Sequence, residues 1–295
     1  MARYGIKKDT VTAYLFILPL VVIIVGLVAY PFIASVFMSF TNKFIGSDNW
    51  IFVGFKNYVT LLGDQLFVKA LQNTLIWTFA TVIFKIVLGM CMALVLNQQF
   101  KGSNIARVLL LVPWIMPTPI SARVWQWIFD DMNGVLNYIL MQAHLINQSI
   151  AWLGVGNFAL ASVIAVNLWR GTPFFGITLL AGMKNIPTEQ YEAAKVDGAN
   201  KIQSFWYITL PGLRFVLLIT SLLESIWAMG DFTIVYIMTQ GGPAGSTNLI
   251  STLTYNFGFQ NGELGKAIAI SLFPLPILAL LIIGVTYLMD KGKDV

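Results

Sequence analysis

The chain has 295 residues, 57% of them hydrophobic and 11% charged, and carries a formal net charge of +5. That balance excludes an ordinary soluble domain and describes an integral membrane protein. A single cysteine, Cys91, excludes a disulfide framework and reads as a small buried hydrophobe, while the lone histidine, His144, has no second histidine or cysteine with which to share a metal.

Six stretches reach the roughly 20 apolar residues that a bilayer-crossing helix requires. They lie near 14–40, 71–97, 106–129, 158–182, 212–239 and 266–289. The predicted fold is therefore all-α, a polytopic membrane protein of six transmembrane helices in one domain over 1–295. A strand-built barrel is excluded, because its segments would be short and alternating rather than runs such as LFILPLVVIIVGLVAYPFIASVF. That first run is too long for a removable leader and has no small-residue cleavage site, so it is expected to remain as an anchor.

Basic residues segregate among the connections, which argues against nucleic acid as the reason for the positive charge. Arg3, Lys7 and Lys8 precede the first span, and Lys101 and Arg107 lie in the second connection. The fourth connection holds Lys184, Lys195, Lys201 and Arg214, and the C-terminus holds Lys291 and Lys293. By the positive-inside rule these mark the cytoplasmic side, with both termini inside. No Lys or Arg occurs between Asp130 and Asn157 or between Phe215 and Gly265, which places those connections outside. The predicted outer loops are 41–70, 130–157 and 240–265. The first of them fits least well, since it carries Lys43, Lys56 and Lys69 against Asp48 and Asp64.

The long inner connection, 184–211, is polar. Thr188 is a candidate N-cap with Glu189 beside the positive helix end, and the helix is expected to run to about Asp197. Gly198 supplies the left-handed residue that closes it. Asn200 with Gln203 reads as a capping box for a second short helix reaching Ile208, and Leu210-Pro211 starts the next span. Two short helices at a sharp angle, with the small Ala193 and Ala194 leaving a bare surface, suit close approach by another protein. A helix pair lying on the lipid headgroups fits the same pattern.

Chemistry on the chain is scarce. No G-x-x-x-x-G-K-[ST] loop occurs, and QGGPAGST lacks the lysine that would reach a nucleotide's phosphates, so ATP hydrolysis is not expected of this chain. Five ionisable residues fall inside the spans: Lys85, Arg123, Arg170, Glu224 and Asp231. Such groups face a bundle interior or a wet cavity. At 1.5 Å per residue, Arg170 and Glu224 each lie roughly 18 Å from the inner ends of their spans and so share a depth. Either they pair with each other, or they contact a ligand.

Several stretches carry a family resemblance. Glu192-Ala193-Ala194, three residues, Gly198, nine residues and Ile208-x-Leu210-Pro211 resemble the signature loop of ABC-importer permeases. NTLIWTFATVIFKIVLGMCMALVLN, LLLVPWIMPTPISARVWQWIF, VNLWRGTPFFGITLLAGMKNIPTEQYEAAKVDGA and YIMTQGGPAGSTNLISTLTY are similar to the maltose-type permease of the carbohydrate ABC importers. The match is to the subunit bearing an outer Gly-Gly-Pro loop, here Gly241-Gly242-Pro243, in its shorter six-span form. The resemblance implies a type I importer permease in a bacterial or archaeal cytoplasmic membrane, forming half of a translocation path. A second, unlike permease, two ATP-binding cassette subunits that hold the ATP and Mg, and an extracytoplasmic sugar-binding protein would complete it, with no cofactor on this chain. It implies ATPase docking through Glu192, Ala193, Ala194, Asp197 and Gly198. By position it points to a substrate site of Trp114, Thr118, Asn167, Arg170, Gly171, Phe174, Glu224, Ala228 and Asp231. The charges at Arg170, Glu224 and Asp231 leave neutral and anionic sugars both open. An ion-driven secondary transporter and an importer for a non-sugar solute are the competing readings. The first would need coupling-ion ligands on broken helices.

Overall fold

The computed structural model describes residues 8–98 and 100–291, with side chains from residue 12; Arg3, Lys7 and Lys293 lie outside the described residues. Its regular structure is all-α: no strand forms among the described residues, and one isolated bridge joins Thr41 and Phe52. Four helices are long and apolar enough to cross a bilayer unaided. They are α1 (Thr12–Met38), α3 (Gln65–Asn97), α7 (Gly156–Lys184) and α12 (Leu264–Asp290). A short α2 (Lys56–Leu62) precedes α3, and α6 (Val135–Gln142) precedes α7.

The third and fifth predicted spans are not single helices. The third is α4 (Ser103–Ile115) followed by α5 (Thr118–Ile128), bent by 92°. The cause is in the sequence: Met116 and Pro117 are extended, with ψ of 134° and 131°; Pro117 pushes Met116 out of the helical region and cannot donate to continue α4, while Pro119 falls in the first turn of α5, where a proline is tolerated. The fifth is approached by α9 (Lys201–Gly212), which meets α10 (Arg214–Met229) at 64°. Helix α10 stops at Gly230, and a separate α11 (Thr233–Met238) follows, so the predicted run 212–239 contains a break at Gly230-Asp231-Phe232.

The chain divides into two compact units, Met1–Gly63 with Thr254–Leu272, and Asp64–Leu253 with Phe273–Val295. In the first, the Asn57 amide donates to the carbonyls of Ser39 and Thr41 at 2.8 and 2.9 Å, and Phe40 gathers Phe52, Phe55 and Tyr58 around it. Helix α1 buries none of its apolar window inside the chain, which leaves that surface for the bilayer or a neighbour.

In the second unit, α3 lies against α7 along much of its length. Met90, Ala93 and Leu96 meet Leu179, Leu180 and Met183 at one end, and Trp77 meets Val163 and Val166 at the other. Cys91 is exposed, contrary to the sequence expectation, because it lies on the face of α3 turned away from this core. The segment after α11 is tied down from α3. The Asn73 amide donates to the carbonyls of Gly245, Ser246 and Asn248 at 3.2, 3.0 and 3.1 Å.

The polar connection forms α8 (Thr188–Val196) and then α9. Pro187, and not Thr188, occupies the N-cap, and no side chain caps this end. The extended Pro187 sets the entry, so Thr188 becomes the first helical residue. Helix α8 ends in a full Schellman motif: Ala199 N–H donates to Ala194 at 2.8 Å and Gly198 N–H to Lys195 at 3.2 Å, with Gly198 at φ +80°. The capping box of Asn200 with Gln203 is present at 2.9 and 2.8 Å. The second helix runs on without a stop at Ile208, reaching Gly212. Tyr191 and Thr209 join α8 to α9 through their hydroxyls at 2.9 Å.

Candidate functional site

Within the second unit, α3, α4, α5, α7, α10 and the Gly230-Asp231-Phe232 break enclose a cavity of about 460 Å³. Trp114, Thr118, Asn167, Arg170, Gly171, Phe174, Glu224, Ala228 and Asp231 all line it, so the nine residues predicted as a substrate site meet at one place. Lys85, Trp227, Gly230, Phe232 and Thr233 complete the wall. The two helix breaks deliver residues that a straight span would direct elsewhere: Thr118 opens α5 just past its kink, and Asp231 sits where α10 has ended.

One side is aromatic. Trp114 stacks on Phe174 at 5.8 Å between ring centres, and Phe174 meets Trp227 edge-on at 5.4 Å. Trp114 and Trp227 remain exposed within the chain and so keep ring surface for a ligand. Trp169, the ring next to Arg170 on α7, turns instead to Trp125 at 5.4 Å.

Beside these rings the lining is charged and polar. Lys85 Nζ donates to Glu224 Oε1 at 2.5 Å, with the two side chains only 4% and 6% exposed. Of the two readings of Arg170 and Glu224, pairing with each other is thus not the one formed. Its physical reason is Gly171: a Cβ there would collide with Lys85 Cε and Nζ, so the missing side chain leaves the channel through which the lysine from α3 reaches the carboxylate on α10. Gly171 lines the cavity chiefly as a gap. Arg170, displaced from that role, makes no hydrogen bond or ion pair among the described residues, and its Nε is buried without a partner. Asn167 donates to Asp231 Oδ2 at 2.8 Å, and its own Oδ1 is buried and unused.

The unspent groups define what the cavity can do. After Lys85 and Glu224 neutralise each other, a guanidinium, an amide oxygen and a carboxylate remain beside an aromatic wall. Buried donors and acceptors left open in this way are partnered in a working protein by water or by a ligand. Arg123, the fifth ionisable span residue, is exposed and bonds Gln126 at 2.8 Å, outside the cavity.

Lys85 is the wall residue that the sequence offered and site prediction omitted. It lies 12 residues before Asn97, the end of α3, hence roughly 18 Å deep, the depth assigned to Arg170 and Glu224. Counting depth for all five ionisable residues would have grouped it with them.

The model of the family described as binding-protein-dependent transport system inner membrane component matches residues 85–291. The chain is 34% identical over 265 residues to the trehalose/maltose transport system permease protein MalF of Thermococcus litoralis, covering 90% of this chain and 89% of the relative. It is 32% identical over 270 residues to the sulfoquinovosyl glycerol transport system permease protein SmoG of Agrobacterium fabrum, covering 90% and 87%. Its fold matches a chain of a bacterial ABC transporter involved in the import of the acidic polysaccharide alginate, with a TM-score of 0.83 at 23% identity over 96% of each chain.

Proposed function

Because the chain belongs to the family of binding-protein-dependent transport system inner membrane components, we propose that it is the carbohydrate-translocating permease subunit of an ATP-driven importer and forms half of the path. It moves its substrate inward without reacting with it. The observation that carries the substrate class is the cavity: the rings of Trp114, Phe174 and Trp227 in one lining with Arg170, Asn167 and Asp231 are the combination that stacks on a sugar ring and exchanges hydrogen bonds with its hydroxyls. That two relatives are named for sugar transport supports the same class.

ATP and Mg are supplied on two cassette subunits. These dock on α8 and its turn through Glu192, Ala193, Ala194, Asp197 and Gly198. The Schellman turn and the capping box fix the angle between α8 and α9, which suits a lever. Exposure supports a protein cover: Val196 is 87% exposed and Tyr207 81%, apolar area unusual for a loop that faces only water. A second, unlike permease and an extracytoplasmic sugar-binding protein complete the assembly, with both termini of this chain in the cytoplasm and no cofactor of its own. Alternating access follows from rocking of the two permeases.

The test is purification of the chain from its native membrane with its companions, followed by ligand screening of the associated binding protein against saccharides. Recovery of a permease, an ATPase and a saccharide-specific binding protein is expected. A binding protein specific for amino acids or metal ions would overturn the carbohydrate assignment, and the absence of any ATPase would overturn the importer.

A further inference from the structure

A second cavity, of about 730 Å³, opens where α3 ends, α4 begins and α7 passes into α8. Its polar lining holds three cations, Lys101, Arg107 and Lys184, with the hydroxyls of Ser103, Thr188 and Tyr191 and the amides of Asn97 and Gln98 among them. Among the described residues no Asp or Glu lines it. Lys101 and Lys184 are exposed and enter no ion pair among the described residues. Arg107 is held in place, donating to Asn104 Oδ1 at 3.1 Å and to the Leu96 carbonyl at 3.2 Å, while its Nε is buried with no partner.

Three like charges around one hollow repel one another and raise the local affinity for a counter-anion. Two further features favour one. Ser103 and Thr188 are the first residues of helices that no side chain caps, so backbone N–H groups and the positive ends of α4 and α8 border the same hollow. Phe100, Met183 and Ile186 give it an apolar flank.

Depth chooses the anion. Asn97 is the last residue of one membrane helix, Ser103 the first of the next, and Lys184 the last of a third. The hollow therefore lies at the level of the headgroups. Lysine and arginine counts make that the cytoplasmic leaflet, an assignment that rests on the orientation proposed above. Basic pockets between membrane helices on this side suit anionic lipid headgroups, whose phosphate meets the cations while the glycerol and upper chain meet the apolar flank. We infer that the Lys101, Arg107 and Lys184 cavity is a binding site for the phosphate of an anionic phospholipid.

The experiment places the full chain in nanodiscs of mixed phosphatidylglycerol and phosphatidylcholine, transfers it to detergent and counts retained lipids by native mass spectrometry. Wild type retains phosphatidylglycerol in preference to phosphatidylcholine. The Lys101→Gln, Arg107→Gln, Lys184→Gln variant loses that preference, with retention weaker by about 100-fold for three charges. Removal of three basic residues outside the cavity, Lys195→Gln, Lys201→Gln and Lys291→Gln, leaves it intact. Should the first variant fail to fold, the exposed pair Lys101→Gln, Lys184→Gln replaces it, with an expected loss of about 30-fold.

Equal retention by the cavity and control variants overturns the site. Displacement of the lipid by millimolar inorganic phosphate overturns the lipid in favour of a soluble phosphate. Displacement by the ATPase overturns it in favour of an acidic protein surface. None of these readouts involves transport, so they are separate from failure of the proposed function.

Discussion

Removing Lys85 or Glu224 should destabilise the protein far more than removing both. The pair spans α3 and α10 at 2.5 Å with side chains 4% and 6% exposed, so a lone survivor would be poorly solvated. Stranding one charge in such a place costs about 3–5 kcal/mol, whereas apolar replacement of both is close to neutral. At about 2–4 °C per kcal/mol, Lys85→Met or Glu224→Leu alone should lower the unfolding midpoint by roughly 6–20 °C, and the double variant should recover most of it. Thermal unfolding followed by tryptophan fluorescence, in a double-mutant cycle, gives the coupling energy directly. The companion cycle of Arg170→Leu with Glu224→Leu should show no such rescue, since it leaves Lys85 stranded. Additive losses in the first cycle, or rescue in the second, would refute the assignment of Lys85 as the partner of Glu224.

Gly171→Ala forces a methyl group onto Lys85 and should cost about 1–3 kcal/mol, a loss that disappears when Lys85 and Glu224 are both made alanine; an unchanged unfolding midpoint would contradict the role of Gly171 as a gap. Gly198→Pro cannot hold φ +80° or donate to Lys195, so the complex should assemble yet hydrolyse ATP without transport; normal coupling would remove α8 as the lever. Asn200→Ala should cost about 1 kcal/mol through loss of the capping box, seen as faster amide exchange over 201–204 with global unfolding unchanged; unaltered exchange would show the cap to be idle.

Much of this molecule was legible in its residues because membrane helices announce themselves by length and apolarity. Six regions were found, and α3 and α7 end within a residue or two of their predicted inner limits. The breaks were harder, although their causes were visible: hydropathy averages over Pro117, while the backbone does not. The same averaging carried the fifth run through Gly230. At the cavity, depth along each span was readable from residue counts, and it brought Arg170 to the level of Glu224. Rotation about the helix axis was not readable, and rotation decides partners. Only packing reveals that Gly171 opens a lane for Lys85 and leaves Arg170 unengaged. The loop was read well because glycine at positive φ and a reciprocal cap are local chemistry, needing no tertiary context. Pro187 displaced Thr188 from the cap for an equally local reason.

The most direct test of the account is uptake into proteoliposomes. The chain, reconstituted with its co-purifying permease, ATPase and saccharide-loaded binding protein, should accumulate labelled saccharide only when ATP is hydrolysed. The Asp231→Ala complex, which withdraws the carboxylate held by Asn167, should hydrolyse ATP but accumulate at least tenfold less. Saccharide uptake by the lone chain under a proton or sodium gradient, without ATP, would contradict the account.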